Sequence, residues 1–286
     1  MRFFDISRGL RDRFHFSWMI ICLVMVLVLP FILFFGLLFK SMLILGNHSI
    51  TDLLFSSIWQ PMRGEFGFLP FIVSSVWVTV ISVLIAGPVC LLTAIHLTQY
   101  AKNYVLRIMH PVIDILAGIP SVIFGVWGIL IIVPFIGNHL GPWLGKEVSG
   151  YSILAGAVVL SLMIIPFVLN ILIEIFRTIP VELTEASLSV GATKWQTIKF
   201  VMLKRAFPGI VSAFGLGISR AFGETIAVLM VLGNVVKIPT GAFQPGYPLP
   251  ALIANNYGEM LSIPQYDSAL MFAALILFVV VVVFNF

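Results

Sequence analysis

The sequence predicts an all-α membrane protein with six transmembrane helices, and three observations lead to that prediction. Hydrophobic residues make up 60% of the 286 residues, charged residues make up only 10%, and the mean hydropathy is +1.12. Soluble domains carry about 25% charged residues, so water is not the solvent for most of this chain. The chain also contains six apolar stretches of membrane-spanning length, and its basic residues gather in alternate connecting segments.

Each apolar stretch is long enough to cross a membrane as a helix. The hydrocarbon core requires roughly 20 apolar residues, and backbone groups cannot remain unpaired in lipid. The predicted spans are Trp18–Phe39, a segment within Phe71–Leu97, Ile115–Ile136, Tyr151–Ile173, about Pro208–Leu232 and Ser268–Phe286. The first is too long for the apolar region of an ordinary signal peptide, so we expect an uncleaved signal anchor. We therefore predict a cytoplasmic segment over residues 1–17 and one membrane domain over residues 18–286.

The distribution of lysine and arginine predicts the orientation of the chain, because cytoplasmic loops collect these residues. With the N-terminus inside, the inner segments hold eleven of the 16 basic residues, the outer segments hold four, and Arg220 lies within a span. The inner residues are Arg2, Arg8, Arg11, Arg13, Lys102, Arg107, Arg177, Lys194, Lys199, Lys204 and Arg205. The bias predicts that both termini are cytoplasmic.

The inner segment Arg177–Phe207 is too long for a simple connection between two helices, which usually takes about 2–8 residues. Pro180 can begin a short helix whose first turns hold Glu182 and Glu185, where acidic side chains suit the helix dipole. Gly191 can end that helix, because glycine accepts the left-handed conformation of a helix C-cap. The segment therefore predicts a first cytoplasmic helix between Pro180 and Gly191.

A second, basic and amphipathic helix is predicted from Thr193, as its N-cap, to about Lys204. Two short helices under a membrane bundle indicate a docking element for a cytoplasmic partner. The alternative is an interfacial helix that lies only on lipid headgroups.

The spacing within this segment resembles that of importer permeases of the ABC class. Their cytoplasmic pattern is E-A-A, three residues, G, nine residues, then I-x-L-P. This chain has Glu185-Ala186-Ser187, Gly191 and Val201-Met202-Leu203-Lys204 at that spacing, with Ser187, Val201 and Lys204 departing from the pattern. The resemblance implies a type I ABC importer (MetI-like) permease fold. It also implies that Glu185, Ala186 and Gly191 couple the chain to one of two ATPase subunits.

The fifth predicted span contains two charged residues, Arg220 and Glu224, which are four apart and would share one face of a continuous helix. A charge at mid-membrane costs at least about 2.5–3.5 kcal/mol, so both should face the bundle interior or an aqueous path. A guanidinium suits phosphate geometry, which predicts an anion pathway. The alternative is a mutually neutralising pair that only helps the helices to assemble.

The residues around this pair resemble the C-type permease subunit of the bacterial phosphate-specific transport system. The resemblance rests on Arg220–Asn234, Asp114–Ser121, Phe124–Gly128 and Leu249–Asn255. It implies import of inorganic phosphate across the bacterial cytoplasmic (inner) membrane. The implied partners are a homologous A-type permease subunit, two ATPase subunits and an extracytoplasmic phosphate-binding protein.

Ser121 is a third candidate for the substrate pathway, because it follows Ile119-Pro120 and could offer a hydroxyl to an anion where a helix is interrupted. The alternative is a kink required only for packing. Asp114, in the same stretch, is expected to be a capping or interface carboxylate.

Several other functions find no support in the sequence. The chain contains no P-loop G-x-x-x-x-G-K-[ST], no catalytic triad and no histidine or cysteine spacing typical of a metal site. We therefore predict a transport subunit with no ATPase site of its own, no cofactor, no metal and no nucleic-acid partner, surrounded by membrane lipid. The remaining alternatives are an A-type subunit, a molybdate or sulfate permease, a non-conducting phosphate-sensing scaffold and a secondary transporter.

Overall fold

The computed structural model describes residues 3–145, 147–258 and 263–285, with side chains described from Asp12 onward. In this part of the chain six helices are long and apolar enough to cross a membrane, as predicted. We name them span one to span six, in order: Asp12–Asn47, Leu69–Tyr100, Ser121–Trp143, Ile153–Arg177, Lys194–Gly223 and Pro264–Asn285. The helix of span one begins at Phe3 and runs without a break through the predicted boundary between residues 17 and 18.

Shorter elements connect the spans. Four are helices, namely Ile50–Phe55, the linker helix Asn103–Gly118, the loop helix Val181–Ser189 and the outer helix Leu249–Asn256. A fifth, the short helix Ile226–Val231, follows span five. The described residues also contain a small antiparallel hairpin, in which Trp59–Gln60 pairs with Glu65–Phe66 around the 3₁₀ turn Pro61–Arg63. Four π-helical segments lie within spans two, three and five: His96–Tyr100, Gly128–Ile132, Ile136–Leu140 and Ile198–Met202.

Span four is the central helix of the bundle and the most buried of the six. It packs along span two and also contacts span five, the linker helix and the short helix. We call the end of the bundle that carries the linker-helix start and the loop helix the basic end, and the opposite end the hairpin end. A Cβ added at Gly156 in span four would collide with Leu232, so the backbone there approaches its neighbour closely.

A second apolar core lies at the hairpin end and joins span one to span six. Trp59 packs its ring 5.0 Å from Phe71 and 5.9 Å from Tyr266, measured between ring centroids. The buried Ser268 hydroxyl donates to the Lys40 carbonyl and accepts from the Ile44 amide, at 2.9 and 3.0 Å. By contrast, span one is exposed over residues 12–33 in the isolated chain.

Span three begins later than the sequence predicts. The expected start at Ile115 is wrong, because residues 115–118 belong to the linker helix and span three starts at Ser121. Ile119 has extended backbone angles (φ −64°, ψ 127°), and Pro120 follows it. Proline lacks an amide hydrogen and disfavours helical angles in the residue before it, which explains the break.

Span five has different limits from the predicted Pro208–Leu232, which is wrong at both ends. The second cytoplasmic helix does not stop near Lys204 but continues as span five, from Lys194 to Gly223. Its start is a capping box between Thr193 and Gln196, which confirms Thr193 as the N-cap. The ABC importer pattern has proline at the position of Lys204. Lysine keeps the backbone amide hydrogen that a continuing helix needs, whereas proline lacks it.

The segment between residues 232 and 248 folds back onto the start of span four. Ile153 and Leu154 donate their amides to the carbonyls of Gln244 and Ala242, at 2.9 and 2.7 Å. These are helix N-terminal donors that have no partner within their own helix. Their pairing allows irregular backbone to sit against the bundle, since every polar backbone group in a membrane needs a partner.

Candidate functional site

The backbone breaks at the point where the sequence placed the charged pair. Span five ends at Gly223, and Glu224 adopts extended angles (φ −70°, ψ 126°). The Thr225 hydroxyl donates to the Gly223 carbonyl at 3.2 Å, a local bond that competes with helix continuation. The short helix then begins at Ile226. Arg220 and Glu224 therefore do not share a face of one helix, and that expectation is wrong.

Arg220 lies in the last turn of span five with an exposed side chain. Its guanidinium carbon is 4.8 Å from the ring centroid of Phe167 in span four. Within the described residues it forms neither an ion pair nor a hydrogen bond. The neutralising pair with Glu224 is thus not formed in this structure, and the Arg220 donors stay available to an anion.

Glu224 is half-buried beside a small cavity of about 10 Å³, lined also by Ser75, Thr79 and Pro248. The cavity is too small for a tetrahedral anion and close to the size of one water. Ser75 is occupied, because its hydroxyl donates to the Phe71 carbonyl and accepts from the Leu249 amide, at 2.9 Å each. The Glu224 carboxylate has no partner in the part of the chain that the structure describes.

Ser121 lies at the same level of the bundle as the break in span five. A Cβ added at Gly125 would be 3.1 Å from the Cα of Ala227, and one at Gly128 would be 2.8 Å from Val231. The residue numbers rise together, so span three and the short helix run parallel. Ser121 is one turn before Gly125, as Glu224 is about one turn before Ala227. The helix interruption before Ser121 is confirmed, whereas its role in the pathway stays a prediction.

The predicted coupling residues lie on the loop helix and the turn that follows it. Glu185, Ala186 and Gly191 are all exposed at the basic end, next to Val190, whose side chain is 83% exposed. Gly191 has a φ of +84°, the left-handed conformation expected of a glycine C-cap. The turn is closed by a hydrogen bond from the Gly191 amide to the Leu188 carbonyl at 3.0 Å.

The departure at Ser187 has a structural counterpart. Its hydroxyl hydrogen-bonds the Thr197 hydroxyl at 2.9 Å, and Thr197 is only 1% exposed. This bond fixes the loop helix against the first turns of span five. An alanine at position 187, as the resembling family has, would lack it.

The sequence prediction missed two residues of span four, which contact Arg220 and Asp114. Phe167 holds Arg220, and Asn170, one turn further along span four, donates to Asp114 in the linker helix at 2.9 Å. An asparagine inside an apolar span was the available signal, since polar groups in membrane helices usually find a partner. Phe167 gave no signal, because an aromatic residue in an apolar span is ordinary.

The six long apolar helices define a multi-pass helical membrane protein. Residues 86–286 match the family described as the binding-protein-dependent transport system inner membrane component. The chain therefore belongs to this family of ABC transporter permeases. As such it is a subunit of the inner membrane that works with ATPase subunits and a substrate-binding protein.

The chain is similar in sequence to several individual permeases. The chain is 40% identical to the "Probable ABC transporter permease protein YqgH" of Bacillus subtilis, over 77% of this chain and 70% of that protein. It is 34% identical to the "Phosphate transport system permease protein PstC" of Xylella fastidiosa, over 79% and 74%. It is 32% identical to the "Probable phosphate transport system permease protein PstC" of Methanocaldococcus jannaschii, over 100% and 95%.

The fold is also found among solved structures. An inward-facing structure of the MetNI methionine ABC transporter superposes with a TM-score of 0.54. The match is 23% identical in sequence and covers 80% of this chain and 94% of that chain. This likeness supports the type I importer fold.

Proposed function

We propose that this chain is the permease subunit of an ATP-driven importer of inorganic phosphate, with Arg220 as the cation that receives the anion. The observation that carries the proposal is the exposed guanidinium of Arg220, which has no anionic partner within the described residues. Several relatives named as phosphate transport permeases match most of the chain, which supports phosphate as the cargo.

Arg220 suits this role because of its chemistry and its place in the bundle. A guanidinium is always charged and offers planar, paired donors that match phosphate oxygens. The ring of Phe167 supports the cation from one side without neutralising it. The exposed side then faces the region where a second permease subunit would close the pathway. We propose the A-type subunit as that partner.

A single helix connects the turn at Gly191, which follows the loop helix, to Arg220. Span five is continuous from Lys194 to Gly223, so Arg220 is about 39 Å from the start of the helix at 1.5 Å per residue. In the proposed mechanism, closure of the two ATPase subunits moves Glu185, Ala186 and Gly191. The helix carries that movement to Arg220 and to the break at Glu224. Coupling requires different contacts in the inward-facing and outward-facing states.

The same proposal sets the orientation and the remaining partners. The basic end faces the cytoplasm, with both termini on that side, and the hairpin end faces the phosphate-binding protein. ATP hydrolysis belongs to the separate ATPase subunits. Ser121 and Glu224 line the pathway beside Arg220, with the unpaired Glu224 carboxylate favouring anions that carry a proton.

The test is uptake by the complete complex reconstituted in liposomes with its binding protein. We expect uptake of labelled phosphate to require ATP. A tenfold molar excess of sulfate or molybdate over phosphate should not reduce that uptake. Uptake that follows an ion gradient without ATP would indicate a secondary transporter. A complex that assembles and hydrolyses ATP but moves no phosphate would overturn the proposal and favour another oxyanion or a sensing scaffold.

A further inference from the structure

A polar contact lies between Arg220 and the basic end of the bundle. The Asn170 side-chain amide of span four donates to the Asp114 carboxylate of the linker helix at 2.9 Å. His110 lies one turn before Asp114 on the same face of the linker helix. These three side chains, which we call the inner cluster, are not used in the mechanism above.

The inner cluster contains polar atoms without a partner. Among the described residues three buried side-chain atoms lack a hydrogen bond, and two of them are His110 Nε2 and Asn170 Oδ1. A buried polar atom without a partner is unfavourable, because it has lost its hydrogen bonds to water and gained none in the protein. Because polar groups inside membrane bundles are expensive, they indicate a substrate or ion path. Both atoms therefore point to a ligand that the cluster meets during transport.

The inner cluster lies on a line that starts at Arg220. Asn170 and Glu174 follow Phe167 by three and seven residues, so all three side chains lie on one face of span four. The Phe167 ring lies against the Arg220 guanidinium, and the Asn170 amide hydrogen-bonds Asp114. Glu174 forms a salt bridge with Arg177 at 2.9 Å near the basic end. From Phe167 to Glu174 the line descends by about 10 Å. Asp114 is exposed in the isolated chain, as Arg220 is, so both are open to a passing ion.

The donors and acceptors of the inner cluster favour one kind of anion. Asp114 is an acceptor when ionised, Asn170 Oδ1 is an acceptor, and His110 Nε2 donates or accepts according to its tautomer. A carboxylate repels an anion unless the anion donates a hydrogen bond to it. Phosphate at neutral pH retains a proton that it can donate, whereas sulfate has none.

We propose that His110, Asp114 and Asn170 form a second cargo contact on the inward side of Arg220, which accepts a hydrogen bond from a protonated tetrahedral oxyanion. The contact rests on the proposed function, since Arg220 supplies the anion. Its acceptor-rich character makes it weaker than the Arg220 contact. A weaker site below a stronger one lets an ion leave as well as enter.

The test is protection of an engineered cysteine in the purified complex, with Cys22 and Cys90 replaced by serine and alanine. Gly118→Cys is suitable because Gly118 is exposed, one turn from Asp114, and a Cβ there meets nothing within 4 Å. We expect millimolar phosphate to slow its reaction with an anionic methanethiosulfonate at least fivefold, and sulfate to have no effect. The matched control is Gly46→Cys, which also has open space but lies at the hairpin end, and which phosphate should not protect.

The variant Asp114→Asn separates ligand selection from a structural role. An amide can donate to an anion that has no proton, so in this background sulfate should protect Gly118→Cys as well as phosphate does. Asp12→Asn, an exposed carboxylate of span one, should leave the selectivity unchanged. Equal labelling rates with and without phosphate, or selectivity unaffected by Asp114→Asn, would overturn the second contact. Phosphate uptake by the cysteine-free parent, measured in parallel, tests the proposed function by itself.

Discussion

The guanidinium of Arg220 lies over the ring of Phe167, with 4.8 Å between the guanidinium carbon and the ring centroid. The aromatic face attracts the cation but leaves its charge and its outer donors available. Phe167 is therefore a positioning residue for the proposed anion contact, on the most buried span of the bundle.

Replacing Phe167 by leucine removes the ring and keeps an apolar side chain. We expect phosphate uptake to fall about 2- to 30-fold, because a cation–π contact contributes about 0.5–2 kcal/mol. Phe167→Tyr should retain most of the uptake. Phe31→Leu, at an exposed position of span one, is the matched control. Equal loss in the leucine and tyrosine variants would show that packing, not the ring face, matters.

The Ser187–Thr197 hydrogen bond predicts the effect of restoring the family residue. Ser187→Ala should leave the buried Thr197 hydroxyl without its partner, at a cost of about 1–3 kcal/mol. Thermal unfolding of the complex should occur at a lower temperature, and less ATPase should copurify. Adding Thr197→Val should recover part of the loss. Two additive losses in the double variant would contradict the assignment.

Gly191 should distinguish backbone conformation from side-chain contact in the loop. Its φ is +84°, and a Cβ there meets nothing within 4 Å, so only the backbone restricts substitution. Gly191→Val should destabilise the turn conformation by about 1–3 kcal/mol. Gly191→Asn should destabilise it less, because asparagine tolerates left-handed backbone angles. Copurification of the ATPase is the measurement. Similar behaviour of both variants would indicate steric exclusion by the docked ATPase instead.

The close packing of span three on the short helix predicts a sensitive glycine at position 125. A Cβ there would be 2.6 Å from Met230 Sδ and 3.1 Å from the Ala227 Cα. Gly125→Ala should lower the free energy of unfolding of the complex by about 1–3 kcal/mol through overpacking. It should also lower phosphate uptake, because the added methyl group would push span three away from the short helix that follows the break at Glu224. Gly36→Ala, where the added Cβ meets nothing within 4 Å, should change neither. An unchanged unfolding temperature in Gly125→Ala would show that this contact is not tight.

The sequence predicted those features that depend on local chemistry. Apolar runs define the six spans, Thr193 caps a helix through its own side chain, and glycine alone adopts the Gly191 conformation without strain. Pro120 favours the extended angles of Ile119 that separate two helices, although the predicted span was still begun too early. Each of these features is decided within a few residues of the chain.

The missed features depend on contacts between distant segments. The helix breaks at Glu224, where the Thr225 hydroxyl donates to the Gly223 carbonyl. No proline stands there to indicate the break in the sequence. The Arg220–Phe167 and Asp114–Asn170 contacts join residues 53 and 56 positions apart, so no local pattern announces them. As a result, the sequence singled out Arg220 as a candidate but did not predict its contact with Phe167.

The decisive measurement is ATP-dependent phosphate uptake by the reconstituted complex carrying Arg220→Ala, with Arg13→Ala as the control for loss of an exposed arginine. If Arg220 receives the anion, uptake falls at least about tenfold, equivalent to 1.4 kcal/mol. The two permease subunits and the ATPase should still copurify, and Arg13→Ala should behave as the wild type. Uptake at the wild-type rate in Arg220→Ala would contradict the proposed pathway.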